Sequence, residues 1–82
     1  MTPEQIFAKL QEMIVEQFSV KMPESVTYET TFEEDLGADS VDLVDLMMAL
    51  EEEFEIGEVQ EDELAELKTV GDVVSFLAAK LS

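Results

Sequence analysis

Apolar residues recur at three- and four-residue steps in three separate stretches of the chain. Ile6, Leu10, Met13, Ile14 and Phe18 form the first set. That spacing puts them on one face of a helix and predicts an amphipathic helix running to about Val20. Its start is well marked, with Thr2 as N-cap, Pro3 at the first helical position and Gln5 closing a capping box. Leu43, Leu46, Met47, Leu50 and Phe54 make a second single-faced set, with Gly57 as the expected terminator. Val70, Val73, Val74, Leu77 and Leu81 make a third, opened by Thr69-Val70-Gly71-Asp72, which again has the capping-box pattern.

Between the first two sets the period breaks. Pro23 and the mixed stretch from Glu24 to Thr31 predict a long loop, with Tyr28, Phe32 and Leu36 pinning it to the core. Glu61 to Leu67 predicts a short helix with Leu64 and Leu67 inward. No alternating pattern of the strand type stands out. The expected architecture is therefore all-α: a four-helix bundle of three main helices and one short one, with a long loop between the first two main helices. A chain of 82 residues has room for one core, so residues 1–82 are expected to form a single domain.

Composition narrows the chemistry. Cysteine and histidine are both absent. This excludes disulfides, thiolate metal sites and any Ser-His-Asp or Cys-His catalytic unit. The formal net charge is −17, and it is unevenly placed. Sixteen acidic residues and no lysine or arginine lie between Glu29 and Glu66, and all four lysines (Lys9, Lys21, Lys68, Lys80) fall outside that stretch. Such a field repels nucleic acid and anionic lipid and attracts basic protein surfaces. No apolar run is long enough for a transmembrane helix, and the N-terminus lacks a signal-peptide pattern, so the cytoplasm is the expected location, with an organelle after removal of a transit peptide as the alternative; the chain is expected to be a monomer.

Asp39-Ser40-Val41-Asp42 falls where the second helix should begin. A Ser or Asp at a helix start ordinarily serves as its N-cap. Here Gly37 lets the loop turn sharply into the helix, leaving the serine hydroxyl prominent. A helix N-terminus also favours an attached phosphate. With no histidine to activate it, Ser40 makes a poor nucleophile by itself. A serine on display without catalytic support fits a site that another enzyme modifies.

The stretch Phe32-Glu33-Glu34-Asp35-Leu36-Gly37-Ala38-Asp39-Ser40-Val41-Asp42 resembles the attachment motif of acyl carrier proteins, whose core is Asp-Ser-Leu. Leu46 to Phe54 is similar to their second helix, and Thr69 to Val74 to the start of their last. Val41 stands where leucine is usual, and the segment after Phe54 lacks a proline often found there. The resemblance implies a 4′-phosphopantetheine arm on Ser40, added from coenzyme A by a carrier-protein synthase (a phosphopantetheinyl transferase). It implies a non-catalytic carrier that holds acyl groups as thioesters and serves enzymes of fatty acid or polyketide synthesis. It leaves open whether this is a main fatty-acid carrier or a specialised paralogue.

The outer face of the second helix carries Asp39, Asp42, Asp45, Glu51 and Glu52, with Val44 and Met48 among them. Exposed apolar residues ringed by acids suit a partner with a basic rim and a small apolar pocket. In the resembling family this helix is the recognition helix, which points to Asp39, Asp42, Asp45, Met48, Glu51 and Glu52 as contacts. The competing class is an acidic cation-binding or adaptor protein without a prosthetic group. A calcium loop beginning at Asp35 would need glycine and glutamate where Ser40 and Leu46 stand, so no specific metal site is expected.

Overall fold

The computed structural model describes residues 1–81; Ser82 lies outside them. Four α-helices follow in chain order: α1 (Pro3–Phe18), α2 (Ser40–Phe54), α3 (Glu61–Ala65) and α4 (Val70–Leu81). Three are long and one is short, as the apolar periods predict. The Thr2–Gln5 capping box closes from both sides, with the Thr2 hydroxyl accepting from the Gln5 amide and the Gln5 side chain accepting from that of Thr2. At α4 the Asp72 amide donates to the Thr69 hydroxyl, and the Asp72 carboxylate accepts the amides of both Thr69 and Lys68.

Helix ends depart from expectation. α1 stops at Phe18, two residues before Val20, because Ser19 takes a left-handed conformation (φ 54°). α2 ends at Phe54 rather than at Gly57. Glu55 supplies the left-handed turn (φ 53°), which folds the half-buried Ile56 back onto the core. Gly57 is left-handed as well, but it lies in the connection beyond. α3 is two residues shorter than the Glu61–Leu67 expectation; Leu67 lies past its end yet is buried, while Leu64 is half-buried. Leu81 shares the apolar spacing of α4 but is exposed at its last turn.

α1 packs chiefly against α4 and less extensively against α2. Ile6, Leu10 and Ile14 of α1, Leu46 and Leu50 of α2, and Val70, Val73 and Leu77 of α4 are fully enclosed. Each such side chain contributes about 1.5–3 kcal/mol by leaving water. Among the described residues two ion pairs add ties between helices. Lys9 of α1 meets Glu53 of α2 at 3.0 Å, and Lys80 of α4 meets Glu63 of α3 at 3.2 Å.

The loop from α1 to α2 is long but not loose. It contains a short 3-10 turn, Pro23–Ser25, which periodicity could not reveal. Gln11 of α1 donates its side-chain amide to the carbonyls of Pro23 and Val26. Tyr28 stacks on Phe7 with ring centroids 4.4 Å apart, while Phe32 is buried and Leu36 half-buried. These are the three residues expected to pin the loop. A backbone strap does as much: Val70 donates to the Thr30 carbonyl, Gly71 to that of Tyr28 and Phe32 to that of Lys68, around an isolated bridge between Thr31 and Thr69. The loop that leads to Ser40 is thereby fixed to the foot of α4.

Candidate functional site

Thr31 and Asp35 begin the approach to α2. The Asp35 carboxylate accepts from the Thr31 amide and hydroxyl, and the Thr31 carbonyl accepts from the amides of Asp35 and Leu36. Gly37 then takes a left-handed conformation (φ 64°) in open space. The turn needs glycine for its backbone and not for lack of room. Ala38 is buried and donates to the Phe32 carbonyl at 2.8 Å, which sets the direction in which Asp39 and Ser40 leave the loop.

The cap of α2 is Asp39. Its carboxylate accepts from the Asp42 amide at 2.9 Å, and the Asp42 carboxylate accepts from the Asp39 amide at 3.2 Å. This reciprocal box takes over the task that Ser40 could have performed. Ser40 is exposed, and its hydroxyl has no hydrogen-bond partner among the described residues. Gln17 reaches from the end of α1 to the Asp42 carbonyl at 2.9 Å and steadies the same turn from the other side.

This arrangement suits a covalent phosphodiester. The hydroxyl is accessible and unengaged, and it sits at the positive end of a fifteen-residue helix. It does not suit self-activation. The chain has no histidine, and the nearby carboxylates of Asp39 and Asp42 are committed to backbone amides.

Along the outer face of α2, Asp45, Met48 and Glu52 are exposed, Asp42 is half-buried, and Asp39 is exposed at the cap. Val44 is also exposed, and so is Val41, at 65% of its surface against 60% for Met48. Val41, Val44 and Met48 together make an apolar strip starting beside Ser40. Val41 was not among the expected contacts, although its spacing of three and seven residues from the other two was available as a signal. Glu51 differs from its neighbours. It is half-buried, and its carboxylate accepts the Val59 amide at 2.7 Å, fastening the α2–α3 connection.

Two open clefts flank α3. One, of about 800 Å³, runs between Val44, Met48 and Glu52 of α2 and Gly57, Val59 and Leu64. The other, of about 500 Å³, lies beside Ser40. Among the described residues no three acidic side chains converge to hold a metal ion, and no helix is long and apolar enough to cross a membrane.

Comparison with known proteins bears directly on this geometry. The sequence profile described as "Phosphopantetheine attachment site" matches residues 8–77. The acyl carrier protein of Wolinella succinogenes is 51% identical over 72 residues, covering 88% of this chain and 92% of that one. That of Exiguobacterium sibiricum is 43% identical over 81 residues, covering 99% of this chain and all of the other. Among solved structures, an acyl carrier protein from Enterococcus faecalis superposes with a TM-score of 0.80 at 28% identity, over 98% of this chain and 99% of that one.

Fold and profile thus define a phosphopantetheine-bearing helical carrier, non-catalytic in itself. The chain belongs to the acyl carrier protein family.

Proposed function

We propose that Ser40 carries the 4′-phosphopantetheine arm and that the whole chain acts as one carrier domain for acyl groups. The observation that carries this reading is the division of labour at the start of α2: Asp39 caps the helix, so the exposed Ser40 hydroxyl is left without a partner. The arm supplies a thiol, which this cysteine-free chain lacks, and holds the acyl group as a thioester. The chain itself supplies attachment, orientation and recognition. Gly37 and Ala38 aim the serine outward, and the helix end receives the phosphodiester charge. A flexible tether rooted there raises the local concentration of its cargo at a partner's active site.

The partner surface in this reading is the outer face of α2. Asp39, Asp42, Asp45 and Glu52 provide its negative rim, while Val41, Val44 and Met48 provide its apolar centre. Glu51 contributes charge to the rim while its carboxylate stays tied to Val59. Partners are a phosphopantetheinyl transferase and enzymes of fatty acid or polyketide synthesis with basic docking surfaces, met in the cytoplasm by a monomeric carrier.

The test is intact mass after incubation with coenzyme A and a phosphopantetheinyl transferase. The wild-type chain gains the mass of one arm and Ser40→Ala gains none. An arm that maps to Ser19, Ser25, Ser75 or Ser82, or that appears on the alanine variant, overturns the assignment.

A further inference from the structure

We propose that Lys68 binds the phosphodiester of the arm rooted at Ser40 and so steers the first part of the arm into the groove beside it. This rests on the reading of Ser40 given above. Ser40 and Lys68 line the same groove of about 500 Å³. Phe32, Leu43, Leu64 and Leu67 give it an apolar lining, and Lys68 is its only basic residue.

Charge singles out this lysine. Lys9 is paired with Glu53 and Lys80 with Glu63, whereas Lys68 forms no ion pair among the described residues. Asp72 feels the charge of Lys68 only as the weakest of the influences on its carboxyl. That group already accepts the amides of Thr69 and Lys68, the first of which chiefly holds its pKa below the ordinary aspartate range. A phosphodiester on Ser40 would enter a strongly negative neighbourhood, with Asp39 and Asp42 in the first turn of α2 and Glu33 and Glu34 lining the groove. The helix end alone offsets roughly half an elementary charge. A free ammonium on the same groove supplies the remainder.

Position supports the assignment as well. The Lys68 carbonyl accepts the Phe32 amide at 3.2 Å, and the Phe32 carbonyl accepts the Ala38 amide at 2.8 Å. Two backbone bonds thus connect the root of the lysine to the residue two before Ser40. The Cα of Lys68 is fixed relative to the serine, while its flexible four-carbon stem lets a point charge search the groove. An arm whose phosphodiester is held there begins its path against apolar residues and not in open solvent.

The experiment compares the apo chain with the chain loaded by transferase and coenzyme A, its loading verified by intact mass and its arm thiol capped with N-ethylmaleimide. Both are exposed briefly to limiting acetic anhydride, and acetylation of each lysine is read by peptide mass. Loading is expected to lower the reactivity of Lys68 about two- to five-fold, the range of a solvent-accessible ion pair. Lys21, which forms no ion pair among the described residues, should be unchanged. The phosphorus resonance of the loaded protein should also shift in Lys68→Met and be largely restored in Lys68→Arg. Equal Lys68 reactivity before and after loading, or a Lys68→Met resonance coinciding with wild type, overturns the proposal while leaving Ser40 as the attachment site. A chain that takes up no arm at all overturns both.

Discussion

At the foot of α4 the Asp72 carboxylate accepts from two donors, the amides of Thr69 and Lys68, while its own amide donates to the Thr69 hydroxyl. The hydrogen bond from the Thr69 amide is the main reason its carboxyl is held below the ordinary value of 3.8. A depressed folded-state pKa means that the unfolded chain binds the proton more readily. The contribution is therefore fully present above pH 3.8 and is lost as pH falls through the lower folded value. Asp72→Asn should lower the melting temperature at neutral pH by an amount worth about 1 kcal/mol. That deficit should shrink in acid, and thermal melts of both proteins between pH 7 and pH 3 would measure it. A deficit that stays constant over this range would show that the charge of Asp72 is immaterial.

At the scale of elements, the parts written in side chains were legible and the parts written in backbone were not. Ile6, Leu10 and Ile14, or Val70, Val73 and Leu77, announce their helices because burial demands a repeat near 3.6 residues. Thr2 with Gln5 and Thr69 with Asp72 announce helix starts because their side chains do the capping. That Ser40 and its flanking acids stand together at the start of α2 is legible from the motif, but not that Asp39 relieves the serine of capping. The ends were harder. Glu55 turns left-handed without being glycine, in step with the packing of half-buried Ile56 against the core and invisible in local propensity. The strap from the α1–α2 loop to α4 uses amides and carbonyls that every residue possesses, so Thr31 and Thr69 carry no mark of their pairing. The tie of Glu51 is hidden in the sequence for the same reason, since its partner is the Val59 amide.

Gly71 exposes this hidden layer to test. In an ordinary helix interior, alanine in place of glycine stabilises by roughly 0.5–1 kcal/mol. Here a Cβ would meet the Tyr28 carbonyl oxygen at 3.0 Å, the oxygen to which the Gly71 amide donates. Gly71→Ala is expected to lower the melting temperature despite its better helix propensity. A rise would mean that the Tyr28 segment yields without cost.

Taken whole, the molecule has a strongly asymmetric charge distribution, with a field felt by any approaching partner before contact. Asp45→Lys and Glu52→Lys alter exposed residues on the outer face of α2 and should slow loading by the transferase about ten-fold at low salt, less as salt rises. Met48→Ala should instead speed dissociation. Glu12→Lys changes the net charge equally on α1, where it is exposed, and is the control. If it slows loading as much as Asp45→Lys, bulk charge governs the encounter and no dedicated face exists.

The strap between the α1–α2 loop and the foot of α4 also divides the molecule in time. The amides of Phe32, Val70 and Gly71 are held by carbonyls across the fold, in a layer that includes the buried Phe32 and Val70. α3 has five residues and none of them is buried. In hydrogen–deuterium exchange the amides of Phe32, Val70 and Gly71 should therefore exchange on the timescale of global unfolding, although the loop they hold to the foot of α4 is irregular. Those of α3 should exchange far sooner, through local opening. Exchange separated in this way would mean that the segment beside both clefts opens and recloses many times while the platform under Ser40 keeps its place.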